Sequence, residues 1–313
     1  MHFKELKRAV RLRCAESLPG LFRLLPETWG REVCVGIGLL AYVVVGRDRR
    51  LARANLARVH PEWSTREIER ASRRVFRELG RNAYDFLRYA ELDASRRERL
   101  VRLEGREALD APRRRGEGAL LVTGHLGCFE ILAATLAREG YPFKAMARPL
   151  REEGLERALS GHRRRMGVET ISSFAPREAL RHLKAGGYLG LLADQRVKEG
   201  GVRVTFMGQP TRMTDGPARL ALAAGVPVIP FGIRRTQDHS HRVLVLPAFR
   251  PTRERTPAHW TQAIAGSLER LIRSAPEQWM WMHPRWEPGA ATGPRRFPEA
   301  SKARDREAAC ASS

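Results

Sequence analysis

The run Ala119-Leu120-Leu121-Val122-Thr123-Gly124-His125-Leu126-Gly127-Cys128-Phe129-Glu130 sets how the rest of this 313-residue chain is understood. A short apolar segment ends at Thr123-Gly124, and a helical pattern takes over from Phe129. The expectation is a buried strand, a tight glycine turn and a helix, with His125 in the turn and Glu130 near the helix start. Open α/β sheets bind ligands where strands end and helices begin. Five residues along a regular helix rotate a side chain through about 500°, leaving the two residues roughly 140° apart. They face each other only if His125 precedes the helix, in a turn that Gly124 and Gly127 permit.

Deprotonation of a hydroxyl suits this pair. A neutral imidazole is the common general base near neutral pH, and a carboxylate on its other nitrogen fixes the tautomer and stabilises the imidazolium. There is no Gly-x-Ser-x-Gly elbow, and Cys128 faces the wrong way for a triad, so no protein nucleophile is evident. An acceptor hydroxyl activated by His125 would then attack the donor directly. The competing reading is a satisfied histidine at a strand end.

Neighbouring segments favour the chemical reading. His-x-x-x-x-Glu after a buried strand resembles the late acyltransferases of lipid A biosynthesis, a branch of the glycerolipid acyltransferase superfamily whose other members usually carry His-x-x-x-x-Asp. Four further segments resemble that family in the same order: Arg53-Ala54-Asn55-Leu56 with His60-Pro61-Glu62, Ala147-Arg148-Pro149, Ala193-Asp194-Gln195, and Pro276-Glu277-Gln278-Trp279-Met280-Trp281-Met282-His283. The resemblance covers roughly residues 30 to 288.

The formal net charge of +22 favours polyanions: nucleic acid, anionic membrane or acidic proteins. Four cysteines without Cys-x-x-Cys spacing suggest a reducing compartment. Near the N-terminus, Lys4, Lys7, Arg8, Arg11 and Arg13 interleave with Phe3, Leu6, Val10 and Cys14 at helical spacing, and an apolar theme continues to Leu25. That pattern fits a basic amphipathic helix in a membrane interface. Residues 33–46 are apolar for fourteen residues, about 21 Å as a helix against a hydrocarbon core near 30 Å. A buried or interfacial helix is expected there. Ser64 and Glu67 can close a capping box, and Trp63 can staple onto Ile68. The helix they start has an apolar stripe through Val75 and Leu79 and an arginine face through Arg66, Arg73 and Arg77.

Strands are expected at 119–123, 143–147, 168–171, 188–193, 226–233 and 243–246, and helices at 129–138, 154–166, 177–184, 215–223 and 259–274. Such alternation implies an α/β fold with a mostly parallel central sheet flanked by helices. The expected division is a membrane-associating helical region (1–100), an α/β core (101–288) and a tail whose composition suggests disorder (289–313). If the strands are parallel, His125, Arg148-Pro149 and Asp194-Gln195 share one rim. The run from Trp279 to His283 reads as packing, with an acyl channel or membrane surface as the other use of its indoles.

The resemblance implies transfer of a fatty acyl chain from acyl carrier protein to a hydroxyl of a lipid A precursor. His125 and Glu130 would then be catalytic. Arg148 and Arg163 would hold acceptor phosphate or sugar oxygens, with Asp194 and Gln195 also binding substrate. Residues 206–211 would be a loop bordering the acceptor. No cofactor and no metal are expected. The expected partners are acyl carrier protein, the lipid A precursor and an anionic membrane surface, at the cytoplasmic face of the inner membrane. One alternative is an acyl-CoA-dependent enzyme acting on another glycolipid or a lysophospholipid, since related enzymes that acylate phosphatidylinositol mannosides share His-x-x-x-x-Glu. Another is a basic nucleic-acid-binding protein, although no helix-turn-helix, zinc-finger or RNA-recognition signature is present.

Overall fold

The computed structural model describes residues 25–286 and Gly20. The basic segment over 3–25, save Gly20 and Leu25, and the tail from 289 onward lie outside the described residues. Four helices come first: α1 (Glu27–Val44), α2 (Gly46–Val59), α3 (Thr65–Tyr89) and α4 (Ala94–Leu100). Then come β1 (Val101–Glu104), α5 (Arg106–Arg114), β2 (Ala119–Thr123), α6 (Phe129–Arg138), β3 (Phe143–Ala147), α7 (Glu153–Arg165), β4 (Glu169–Ser172) and α8 (Pro176–Lys184). The chain continues through β5 (Tyr188–Leu192), β6 (Val202–Phe206), β7 (Gln209–Met213), α9 (Gly216–Ala224), β8 (Val228–Arg235), β9 (His241–Val245) and α10 (Pro257–Arg273). A 3-10 turn, Pro276–Gln278, closes the series.

The main sheet has the order β1-β9-β8-β2-β5-β3-β4. Strands β8, β2, β5, β3 and β4 run parallel, as the alternation predicts. All five residues of β2 are buried, as an apolar run covered on both faces must be. Leu120 and Val122 join the core formed with α8, α9 and α10, whereas Ala119 and Leu121 join that of α3, α5 and α6. The outer edge departs from the expectation. β9 is antiparallel to β8, and β1 pairs parallel to β9. Residues 206–211 are no simple loop either: β6 and β7 form an antiparallel hairpin, turning at Met207 (φ 51°) and Gly208 (φ 74°).

The capping box forms on α3: Ser64 N–H donates to Glu67 Oε2 at 2.7 Å, and Glu67 N–H to Ser64 Oγ at 3.3 Å. The apolar segment 33–46 is divided between α1 and α2, which meet at 88°. No single helix among the described residues is long and apolar enough to cross a membrane, although this bent pair passes by length and composition together. One face of α1 packs on α3 through Gly30, Cys34, Gly38 and Tyr42. The opposite face leaves Trp29, Val33, Ile37, Leu40 and Val44 exposed. A buried ionic cluster fixes α3 to the sheet: the Arg235 guanidinium, at the end of β8, bonds Glu78 (2.5 Å), Asn82 (2.7 Å) and Asp85 (3.0 Å). His241 Nε2 lies 2.9 Å from the same Asp85 carboxylate.

Candidate active site

Strand register brings His125 and Asp194 together. β2 and β5 are adjacent and parallel, with Thr123 opposite Leu192. Two residues further along each strand stand His125 and Asp194. The Asp194 side chain is fully buried. Its Oδ2 accepts the His125 backbone N–H at 2.9 Å, and its Oδ1 lies 2.7 Å from His125 Nδ1. Trp279 Nε1–H donates to Oδ2 at 2.8 Å, and Arg285 Nη1 is 2.9 Å from that oxygen. Arg285 also donates to the Asp194 carbonyl. Burial alone would raise the Asp194 carboxyl; the charges of Arg285 and His125 outweigh it and hold the group well below the usual carboxylate range. An ionised Asp194 takes the Nδ1 proton as its hydrogen-bond donor, which leaves Nε2 with a free lone pair.

Both glycines of the turn are needed. A Cβ on Gly124 would stand 3.0 Å from Asp194 Oδ2. Gly127 has φ +56° and a Cβ there would meet Ile233 O at 2.3 Å, so the turn takes the left-handed conformation against β8 that only glycine adopts cheaply. The turn is locked to the segment after α10: Gly127 N–H donates to Gln278 O (3.0 Å), and Met280 N–H to His125 O (3.0 Å). Asn55, on α2, donates to the carbonyls of Trp281 (2.7 Å) and His283 (2.8 Å). The N-terminal helices thereby hold the loop that supports the histidine.

The expected contact between His125 and Glu130 is not formed. Glu130, the second residue of α6, makes a two-pronged ion pair with Arg163 on α7, at 2.6 and 3.0 Å. The strand order explains this. Asp194 arrives from the neighbouring strand and occupies both the backbone N–H and Nδ1 of His125, while α6 turns Glu130 toward α7. Arg163 is therefore committed to a carboxylate, as a forked guanidinium suits. Arg148 lies exposed past β3, its guanidinium 5.6 Å from the Phe174 ring centroid. Gln195 is exposed, with Nε2 3.4 Å from His125 Nε2.

A cleft of about 240 Å³ opens beside His125. Val75, Leu79 and Phe86 of α3 form one wall, and Phe129, Met280 and Met282 line it elsewhere. His125 and Glu130 are among its few polar lining groups. The His283 ring lies 5.0 Å from that of His125; burial and the charges of Arg285 and His125 lower its pKa to about 4.

Reading the sequence for packing at Trp279 and Trp281 matches their complete burial, but Trp279 also donates to Asp194. Arg285 was not anticipated. The available signal was its position as the one permanently charged residue in the aromatic run from Trp279 to Trp286.

Residues 18–287 match the sequence family described as bacterial lipid A biosynthesis acyltransferase. A phosphatidylinositol mannoside acyltransferase of Mycobacterium tuberculosis (strain ATCC 25618 / H37Rv) is 29% identical over 187 residues, 58% of this chain and 58% of the relative. Its counterpart from Mycolicibacterium smegmatis is 30% identical over 184 residues, 57% and 59% of the two chains. A lipid A biosynthesis palmitoleoyltransferase of Escherichia coli (strain K12) is 25% identical over 256 residues, 80% and 82% of the two chains. The matched region thus spans little more than half the length of the mycobacterial relatives.

Proposed function

The chain belongs to the bacterial lipid A biosynthesis acyltransferase family, and we propose that it transfers a fatty acyl chain from a thioester to a hydroxyl of lipid A or a related glycolipid. One observation carries this reading: buried Asp194 holds His125 Nδ1, so that Nε2 is presented as a base beside an apolar cleft. The acceptor hydroxyl gives its proton to Nε2, and its oxygen attacks the thioester carbonyl carbon. Asp194 stabilises the imidazolium. We assign stabilisation of the developing oxyanion to the first-turn N–H groups of α6 and the amide of Gln195, whose Nε2 is 3.4 Å from His125 Nε2. As the intermediate collapses, the C–S bond breaks, the ester forms, and the imidazolium proton goes to the departing thiolate. The apolar slot between α3 and the Met280–Met282 segment suits the acyl chain.

Acyl carrier protein fits as donor because it is acidic and this chain is strongly positive. The exposed apolar stripe of α1 fits a monotopic seat on the cytoplasmic face of the inner membrane, with arginines of α3 meeting anionic lipid. A second reading takes a phosphatidylinositol mannoside as the acceptor, and the identity to the two mycobacterial relatives favours it. Mass spectrometry of glycolipids from cells with and without the gene tests both. Loss of one acyl chain from lipid A supports the first and loss from another glycolipid the second, while unchanged glycolipids contradict acyl transfer.

A further inference from the structure

A second cleft, of about 630 Å³, lies at the β8–β9–β1 edge of the sheet. In the sheet register Arg234 of β8 pairs with Arg242 of β9, and Arg242 pairs with Arg102 of β1. Directly paired residues project from the same face, and all three arginines line the one cleft. Like charges directly opposite one another destabilise a sheet. The next pair along, Arg235 with His241, shows how this fold neutralises such positions: both are buried against Asp85. The outer row lacks that treatment. Arg242 meets Glu104 at 2.8 Å, whereas Arg102 and Arg234 have no carboxylate partner among the described residues, and Arg234 Nε is buried without an acceptor.

The acidic side chains lining the cleft do not supply one. Asp238 accepts from Ser240 N–H (3.2 Å) and Oγ–H (2.9 Å) and from Thr236 Oγ1–H, closing its own turn. Glu277 also lines the cleft, and among the described residues it forms no salt bridge with Arg102, Arg234 or Arg242. The volume falls in the range of small-molecule sites. Adjacent guanidinium groups offer forked, permanently charged donors matched to phosphate oxygens.

We propose that the Arg102–Arg242–Arg234 row is a phosphate-binding site, separate from His125, that takes a ligand bearing one or more phosphate groups. A lipid headgroup and a soluble phosphorylated compound share this chemistry. The assignment does not depend on the acyl-transfer reading, although Gln278 borders both clefts.

The test compares full-length protein, R102Q/R234Q, and an R177Q/R181Q control that removes the same charge from the exposed face of α8, beside β4 at the opposite edge of the sheet. Inorganic pyrophosphate is titrated by calorimetry, and co-sedimentation uses phosphatidylcholine vesicles with and without phosphatidic acid. R102Q/R234Q should bind at least one probe about tenfold more weakly while the control stays near wild type. Loss confined to pyrophosphate assigns a soluble ligand, and loss confined to phosphatidic acid vesicles assigns a headgroup. Equal losses in both double variants, or no difference among the three proteins, would overturn the site. Circular dichroism confirms that each variant is folded.

Discussion

Asp194 accepts from both the backbone N–H and Nδ1 of His125, at 2.9 and 2.7 Å. The two contacts fix the ring and its tautomer from one buried carboxylate. Glu130 stands on the same cleft but spends its oxygens on Arg163. These two carboxylates therefore have separable consequences.

Asp194→Asn is predicted to lower kcat by roughly 10²–10⁴-fold, because an amide cannot stabilise the imidazolium. It also leaves Arg285 buried beside a neutral group, so thermal stability should fall. Glu130→Gln breaks an ion pair without touching His125, so whatever it does to turnover, the pH dependence of kcat should keep its wild-type form. Full pH–rate profiles of both variants provide the check. A profile that shifts with Glu130→Gln and not with Asp194→Asn would return Glu130 to the histidine.

A Cβ on Gly38 would stand 2.3 Å from Phe76 O, and one on Gly80 2.3 Å from Cys34 O, so α1 and α3 cross at backbone contact. Gly38→Ala or Gly80→Ala should cost about 1–3 kcal/mol or more, as overpacking does. Gly36→Ala, with nothing within 4 Å of the added carbon, should be neutral or stabilising by up to about 1 kcal/mol. Denaturant unfolding of the three variants decides it, and equal effects would contradict the crossing.

Much of the fold is legible in residue pattern. The run from Ala119 to Thr123 and the periodicity after Phe129 give β2 and α6 directly, and Ser64 with Glu67 gives the start of α3. The partner of His125 is not legible in this way. It depends on β5 lying next to β2 in the register that sets Thr123 opposite Leu192, and a linear spacing of 69 residues carries no trace of that. Nearness in sequence favoured Glu130, and strand order favoured Asp194. The β6–β7 hairpin was obscured because Gln209 and Pro210 do not look like strand residues, and β9 because nothing in its composition reports direction.

His283 should make the protein acid-sensitive. Its folded pKa is lowered to about 4 from the ordinary 6.5, so between these values the unfolded chain binds more protons than the folded one. Stability must then fall as pH drops through that window and level off below it for this group. His283→Gln should flatten the slope of Tm against pH between about 6.5 and 4 relative to wild type. Parallel curves for the two proteins would show that the histidine does not titrate this way.

Trp29, Ile37 and Leu40 are 70%, 56% and 61% exposed on one stripe of α1, an apolar face that a lipid interface would cover. Ile37→Glu with Leu40→Glu should shift the protein from the membrane fraction toward the supernatant without unfolding it, and high salt should deepen the effect by screening the arginines. Fractionation of a folded double variant identical to wild type would rule out α1 as the seat.

The account rests most directly on His125 as the base. Purified full-length protein and His125→Ala are given a labelled acyl thioester and a glycolipid acceptor, and ester formation is followed over time. Wild type should transfer the chain, and the variant, with unchanged circular dichroism, should be slower by roughly 10²–10⁴-fold. Turnover by folded His125→Ala within a few-fold of wild type would contradict it.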